Sequence, residues 1–519
     1  MGDRRYRFGV LERRGVIGGL RWGQLTVIGT GLVGAVVALR LVGPPPIAAA
    51  TAVALAALSA VAGFWPVGGR CADEWIPIVA AWALTPTSRR RWRSPAPTTG
   101  RSPGGEVRPV TPPTLEGVSI LHAEPPQGGQ ARVGVVRDAR RGTYTGVLSV
   151  RGSSFALADA VEKERRLAGW GAVLASFARE GSPVVGLGWV ERTVPDDTDE
   201  IGRYLATAVS EERSHPSVAS YLQVVDEASP VTQDHETLVT LTINTRRAKR
   251  QVAQAGGGEV GACVVLVGQL QTLAQRLRGA GLDVHGALTP RLVAQAIRTG
   301  FDPATRPGLT RLAAGDPERA GITEAGAWPL AADTTWASYR TDGGWHVTYW
   351  VAEWPRVEVG PDFAAPLFLQ TTATRTVALA MAPVSPLRAA REAEVARTTD
   401  IADEQLRRRA GFITTARRAA AHESVERREQ ELAAGHTDIR YSGYVTVTAA
   451  PPTTWSRRAR RWRASPTNPD WNSADCGVSR TSRSPTPCPS AAACNENPTP
   501  PPPASCDHGA RAGRLPVHG

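Results

Sequence analysis

Two apolar segments set the terms for the rest of the chain. LTVIGTGLVGAVVALRLV begins at Leu25, IAAATAVALAALSAVAGFW ends at Trp65, and Gly43-Pro44-Pro45-Pro46 lies between them. Each approaches the ~20 residues that an α-helix needs to cross a ~30 Å hydrocarbon core. The pattern predicts a transmembrane hairpin, with spans at 25–42 and 47–65. A signal peptide has one short apolar core and a small-residue cleavage site, and a buried pair of globular helices shows polar faces, so neither alternative fits. Arg4, Arg5, Arg7, Arg13, Arg14 and Arg21 precede the hairpin, and Arg70, Arg89, Arg90, Arg91 and Arg93 follow it. Positive charge on both flanks predicts a multi-pass protein of the plasma membrane with both termini cytoplasmic. Arg40, inside the far end of the first span, runs against that orientation but can snorkel outward.

With 519 residues, the chain has room for further domains beyond the hairpin. Its net charge of +12 comes almost wholly from arginine, since lysine occurs only at Lys163 and Lys249. Much of that charge sits beside the apolar spans or in the last 69 residues, 451–519. It therefore reads first as topology and contact with anionic lipid head groups, and second as nucleic-acid binding. Arginine, alanine, glycine and proline together indicate a GC-rich coding sequence of actinobacterial type. Cys71 and Cys263 are the cysteines of the body and four more crowd the tail, so no disulfide framework is expected.

Residues 1–24 form a basic lead. Within the first span, Gly29, Gly31 and Gly34 spell a dinucleotide fingerprint, but that motif needs a preceding strand and a helix N-terminus open to phosphate. Small residues at helical spacing (Gly31 with Ala35, Gly34 with Ala38) instead predict close approach of the two spans. Residues 66–93 read as an interfacial basic segment, with a short amphipathic helix from Asp73 to Leu84 carrying Trp75 and Trp82. Residues 94–114, rich in Pro, Gly, Ser and Thr, read as a linker.

A mixed α/β (α+β) domain is expected over 115–450. It opens with alternating strands around Val118–Ile120, Arg132–Val136 and Thr145–Val150. Helices are expected at Ala156–Glu180, Ile201–Gln223, Val260–Ala280 and Pro290–Arg298, with Gly281–Thr289 as a plain connection. Strands are expected at Pro183–Val190, Thr237–Asn244, Gly344–Val359, Thr376–Val384 and Tyr441–Ala449. Gly344–Val359 puts Trp345, Val347, Tyr349 and Val351 on one face and His346, Thr348, Trp350 and Trp354 on the other. Pro386–Ala434 is a charge-laced helical stretch with a break at Gly411.

Beyond Pro451 the periodicity stops, and residues 451–519 read as a low-complexity, disordered tail. Trp455, Trp462, Trp471, Cys476, Cys488 and Cys494 point to a frameshift. Read from the preceding base, each Trp or Cys codon becomes one ending in TG, which encodes only Leu, Met or Val. The shifted frame can restore an acidic helix over 452–463, and sequencing the gene decides the matter.

The chemistry-bearing motifs are few. No Gly-Lys dipeptide occurs, which excludes a Walker A loop, and neither His-Glu-x-x-His nor Gly-x-Ser-x-Gly is present. Asp196, Asp197, Asp199 and Glu200 suit a helix N-terminus better than a metal site. His422 beside Glu423 reads as solvated surface. Arg407, Arg408, Arg409, Arg417 and Arg418 read as a solvated helical face that could also meet DNA or lipid. The tryptophan-rich strand could stack bases, but core packing suits it better. No catalytic, cofactor-binding or metal-binding residue is expected.

The lead YRFGVLERRGVIGGLRWGQ, the hairpin, FWPVGGRCADEW and RRRWRSP together resemble actinobacterial integral membrane proteins of the SCO6880 type. The hairpin is similar to the PrgI family of conjugative type IV secretion. The domain over 115–450 resembles the non-ATPase N-terminal part of conjugation ATPases, and related chains carry the label EccE-like, after a type VII secretion component. The resemblance implies no enzyme and no cofactor. It implies a structural inner-membrane component of a type IV or type VII apparatus, oligomeric with other channel subunits and docking a separate motor ATPase. The alternative reading is a membrane-tethered DNA-binding protein that uses the Arg-rich helices.

Overall fold

A computed structural model describes residues 22–449, except 42, 66–70, 96–98, 102–106, 126–131, 153–154, 196–214, 229–232, 315–319, 353, 356, 370–372 and 410–415, together with 478–480 and 513–517. The two apolar segments form helices α1 (Trp22–Leu41) and α2 (Pro45–Phe64), joined by the Gly43-Pro44 turn. Gly43 has φ +32°, a conformation that glycine adopts without strain. Pro45 and Pro46 open α2, where the missing N–H groups cost no helical bond. A third helix, α3 (Ala72–Leu84), follows.

The rest is built on one large antiparallel sheet. Its strands begin with β1 (Arg91–Arg93), followed by a detached ribbon of β2 (Thr99–Arg101) and β3 (Val107–Pro109) inside the expected linker. Next come β4 (Val118–Ala123), β5 (Val133–Asp138), β6 (Thr143–Arg151), β7 (Val184–Pro195) and β8 (Gln233–Asn244). The short β9 (Asp283–Ala287) lies where a plain connection was expected and pairs with β6. The second group is β10 (Ala331–Thr334), β11 (Tyr339–Thr341), β12 (Trp345–Val351), β13 (Thr374–Pro383) and β14 (Thr437–Ala449). From the tail region, β15 (Val478–Arg480) pairs with β12 and β16 (Gly513–Val517) with β14. The remainder of the expected disordered tail lies outside the described residues.

The main path runs β1-β10-β11-β12-β14-β13-β7-β8-β6-β5-β4. Every pairing on it is antiparallel, which places the domain on the α+β side of the expectation. Outside β1 the order is palindromic, and the register is symmetric too. Val190 of β7 faces Ala378 of β13, and stepping outward gives Glu191 with Val377 one way and Trp189 with Leu379 the other. From Val190 the cross-strand partners run to Leu238 and Ser149, and from Ala378 they run to Tyr444 and Trp350. Four residues on, Thr242-Thr145-Val136-Ile120 in one half matches Thr448-His346-Tyr339-Thr334 in the other, partner by partner. The sheet therefore has an approximate two-fold axis through the buried Val190–Ala378 pair. Val239-Thr240-Leu241-Thr242 and Val445-Thr446-Val447-Thr448 are its echo in sequence.

One face of the sheet is covered by helix α4 (Ala160–Ala175) and helix α5 (Gly258–Gly279), with Leu266, Leu270, Leu273 and Leu277 fully buried. A Cβ on Gly146 of β6 would lie 2.2 Å from Leu270, so a bare backbone there lets α5 sit close. By length and hydropathy α5 could cross a membrane, but half of it is buried, and it serves as the lid of this core. The other face is covered by helix α6 (Pro290–Phe301), capped by Thr289, whose Val293, Ile297 and Phe301 meet Val136, Val147, Val190 and Leu238. The long charged stretch forms α7 (Pro386–Arg409) and α8 (Ala416–Ala433), joined across by Arg397–Glu429 at 2.8 Å; the break expected at Gly411 falls outside the described residues.

β12 confirms the alternation expected for the tryptophan-rich strand, with both faces covered. It ends at Val351 rather than Val359, and Pro355 further on has no N–H with which to carry a ladder through its position. Trp354 consequently packs on Tyr441, 5.3 Å between centroids, and so lies on the Val351 side instead of the Trp350 side. β14 starts four residues before the strand expected from Tyr441 and is an interior strand, paired with β13 over Ile439–Thr448 and with β12 over Tyr444–Ala449.

Candidate membrane anchor and docking platform

The hairpin seam is built from small residues. A Cβ on Gly31 would sit 2.1 Å from the Ser59 Cβ, so only glycine allows this approach. Ala35 and Ala38 of α1 and Ala48, Ala52 and Gly63 of α2 complete the buried seam. Gly34, expected in that seam, has open space where a side chain would project. The 3.6-residue turn carries it past the contact, and the seam follows Gln24, Ile28, Gly31, Ala35 and Ala38 instead. Gln24 closes the base, its Nε2 donating to the Gly63 carbonyl at 2.9 Å. Val33, Val36, Val37, Val53 and Leu58 point outward, about half exposed or more. Such a surface suits lipid and not water.

Behind the hairpin, α3 ties the anchor to the sheet. Trp75, Ile78 and Trp82 share one face of the helix, and Trp336, at the tip of the β10–β11 turn, lies against two of them. Its ring is stacked 6.3 Å from Trp75 and set edge-on 5.3 Å from Trp82. Arg90 sits over Trp82 at 4.0 Å and donates to the Trp82 carbonyl. The chain then enters the sheet directly, because β1 pairs Arg91 with Asp333, Trp92 with Ala332 and Arg93 with Ala331. The interfacial segment and the domain are thus continuous through backbone hydrogen bonds.

The two outer edges of the pseudo-symmetric sheet are finished differently. The β10 edge takes β1 from the anchor. At the equivalent β4 edge, the Ile120 N–H donates to Glu324 Oε1 at 2.8 Å, so a carboxylate stands where a neighbouring strand's carbonyl would be. Burial holds the Glu324 carboxyl above its usual range. Such a plug blocks edge-to-edge pairing. With eleven strands on the main path and ~4.8 Å between neighbours, the β4 edge stands about 50 Å from β1.

An ionisable cluster gathers about the buried Arg192 at the end of β7 and β8. Arg192 donates to Glu236 and, at 2.7 Å, to the Ala296 carbonyl, while Arg306 reaches Asp234 at 3.0 Å. Burial works to raise the Glu236 carboxyl, but Arg192 and Arg306 together hold it below the usual carboxylate range. A carboxylate so held makes a poor general base, and the cluster's evident work is fastening α6 to the sheet. In the second half, His346 is fully buried, bonded to Thr448 at 2.9 Å and to Thr341 at 3.1 Å, and burial lowers its pKa to about 4. It occupies the position of Thr145, which bonds Thr242 at 2.8 Å.

Of the residues singled out in the sequence, Asp196, Asp197, Asp199 and Glu200 lie outside the described residues, as do the side chains of His422, Arg407, Arg408, Arg417 and Arg418. Arg409 is exposed. Glu423 pairs with Arg427, Arg428 with Asp438, and Arg388 and Arg440 with Glu392. Those arginines are spent on carboxylates within the fold. Among the described residues no group of three or more His, Cys, Asp or Glu comes together as a metal site would require. Sequence reasoning missed Trp336 and Glu324; the repeated Val-Thr-x-Thr was the available signal for the second half of the sheet.

Residues 231–351 match the family model of EccE, described as "Putative type VII ESX secretion system translocon, EccE". No curated protein matches the chain. The EccE match takes in β8, the last main-path strand of the first half in chain order, and ends with β12 of the second, so it bridges the two halves and includes the β10 edge that receives the anchor. Over residues 231–351, under a quarter of the chain, the sequence is thus similar to EccE, and two helices long and apolar enough to cross a membrane lie near the N-terminus.

Proposed function

We propose that this protein is a non-catalytic inner-membrane component of a type VII secretion apparatus. Its hairpin spans the plasma membrane with both flanks cytoplasmic, and its two-halved sheet is a platform on which a separate motor ATPase and neighbouring channel subunits dock. The observation carrying this reading is the direct fusion of the hairpin, through α3 and β1, to the part of the sheet that matches EccE. A type IV, conjugation-like apparatus is the related possibility that the hairpin's PrgI-like character suggests.

Affinity purification of the tagged, detergent-solubilised full chain from its native membrane tests the proposal. Recovery of a Walker A ATPase and other membrane subunits at moderate salt supports it, and the identity of that ATPase separates type VII from type IV. Recovery of DNA instead, lost steeply as salt rises, overturns it in favour of a tethered DNA-binding protein.

A further inference from the structure

We infer that α3 and the β10–β11 tip together form a second membrane contact, embedded at the headgroup–acyl boundary of an anionic bilayer, which holds the sheet with its β10 edge towards the membrane and its β4 edge outward. This rests on the reading of α1 and α2 as a membrane-inserted hairpin.

Three observations carry it. First, α3 is apolar on both faces. Trp75, Ile78 and Trp82 are turned inward, while Ile76, Val79, Ala80, Ala83 and Leu84 form an exposed stripe at i, i+3, i+4, i+7 and i+8, with Ile76 56 %, Val79 45 % and Leu84 81 % exposed. A helix of this kind has nothing to offer water on that side. Second, at the junction of α2 and α3 a groove is lined, among the described residues, by Val61, Ala62, Trp65, Ala72 and Trp75. The groove is continuous with the outward apolar faces of the hairpin, and tryptophans are the residues favoured where acyl chains give way to head groups. Third, Arg89, Arg91 and Arg93 follow directly and are exposed, matching anionic head groups in charge. A bilayer fits all three, since it supplies acyl chains for the stripe and phosphates for the arginines at one depth. Because Trp336 is held against Trp75 and Trp82, and β1 is hydrogen-bonded to β10, the β10–β11 tip must share that depth.

The test uses the full chain, its native cysteines replaced by alanine, in nanodiscs of phosphatidylcholine and phosphatidylglycerol. An environment-sensitive fluorophore is placed singly at V53C on the outer face of α2, A80C on the α3 stripe, A337C beside Trp336, or A139C at the distal β5–β6 turn. All four positions are exposed, so labelling disturbs no core. The label at V53C, A80C and A337C is expected to emit blue-shifted and to be quenched by nitroxide-bearing acyl chains, and the label at A139C to behave as in water. Quenching at V53C with none at A80C and A337C overturns the second contact while leaving the hairpin intact. No quenching at V53C overturns the hairpin reading and this inference with it. Equal quenching at A139C and A337C overturns the edge-on orientation.

Discussion

Replacing Gly31 by alanine tests the anchor at its tightest point. The new methyl would begin 2.1 Å from the Ser59 Cβ and 2.3 Å from its Oγ. Rotating the serine moves the hydroxyl but not the Cβ, so relief requires backbone movement. Restoring an ordinary carbon–carbon contact of about 3.8 Å opens the seam locally by roughly 1.5 Å. That loss of packing is worth about 1–3 kcal/mol, or about 5- to 150-fold in the equilibrium between the tight and the separated hairpin. The antiparallel spacing from the Gly31–Ser59 contact sets Ala38 opposite Ala52, and both are buried. Oxidative cross-linking of A38C with A52C in membranes therefore reports the seam. G31A should slow cross-linking, G34A should leave it unchanged because nothing lies within 4 Å of that position, and S59G should restore the rate in the G31A background. Equal slowing by G31A and G34A, or no rescue by S59G, would refute the packing argument.

Other consequences follow from buried polar groups. His346 is neutral in the folded protein down to about pH 4, whereas the unfolded chain takes up a proton near 6.5. Stability should therefore fall as pH drops through that window, by about 3 kcal/mol in all at ~1.4 kcal/mol per unit. The difference in pH slope between wild type and H346Q, read from denaturant midpoints of the solubilised chain, isolates this contribution from Asp302 and Glu324, whose burial-raised acids act with the opposite sign. E324A should orphan the Ile120 N–H and cost about 1–3 kcal/mol, with lost hydrogen-exchange protection at Ile120, while E324Q keeps an acceptor and removes a disfavoured charge. D438N replaces the carboxylate beside the half-buried Arg428 with a neutral amide and should cost about 1–3 kcal/mol. E429A, at a half-exposed pair, should cost less than about 1 kcal/mol in the same denaturation assay.

Local elements were readable wherever one physical signal dominated. The hairpin spans, α5, α6 and the alternation of β12 follow from apolar content and period alone, because burial of those faces needs no information from elsewhere in the chain. The short strands β1, β9, β10 and β11 were not readable. Three to five residues carry too little periodicity, and each is a strand only because a longer neighbour offers it hydrogen bonds. Gly34 shows the same limit at atomic scale: its spacing suits a seam, but the rotation of α1 against α2 decided which glycine met a side chain. Of the anchor, Trp75 and Trp82 were visible, while Trp336, which completes the contact, lies more than 250 residues further along the chain.

The amino-acid sequence by itself determined a membrane-length hairpin followed by a mixed domain without a phosphate loop, since both depend on residue type and near spacing. Tertiary structure alone decided that the domain is two matching halves about Val190 and Ala378, with one outer edge bound to the anchor and the other closed by Glu324. The physical reason is that register across a sheet is set by long-range backbone pairing and by which faces find cover, and two halves can share that pattern of partners while keeping little more in common than Val-Thr-x-Thr.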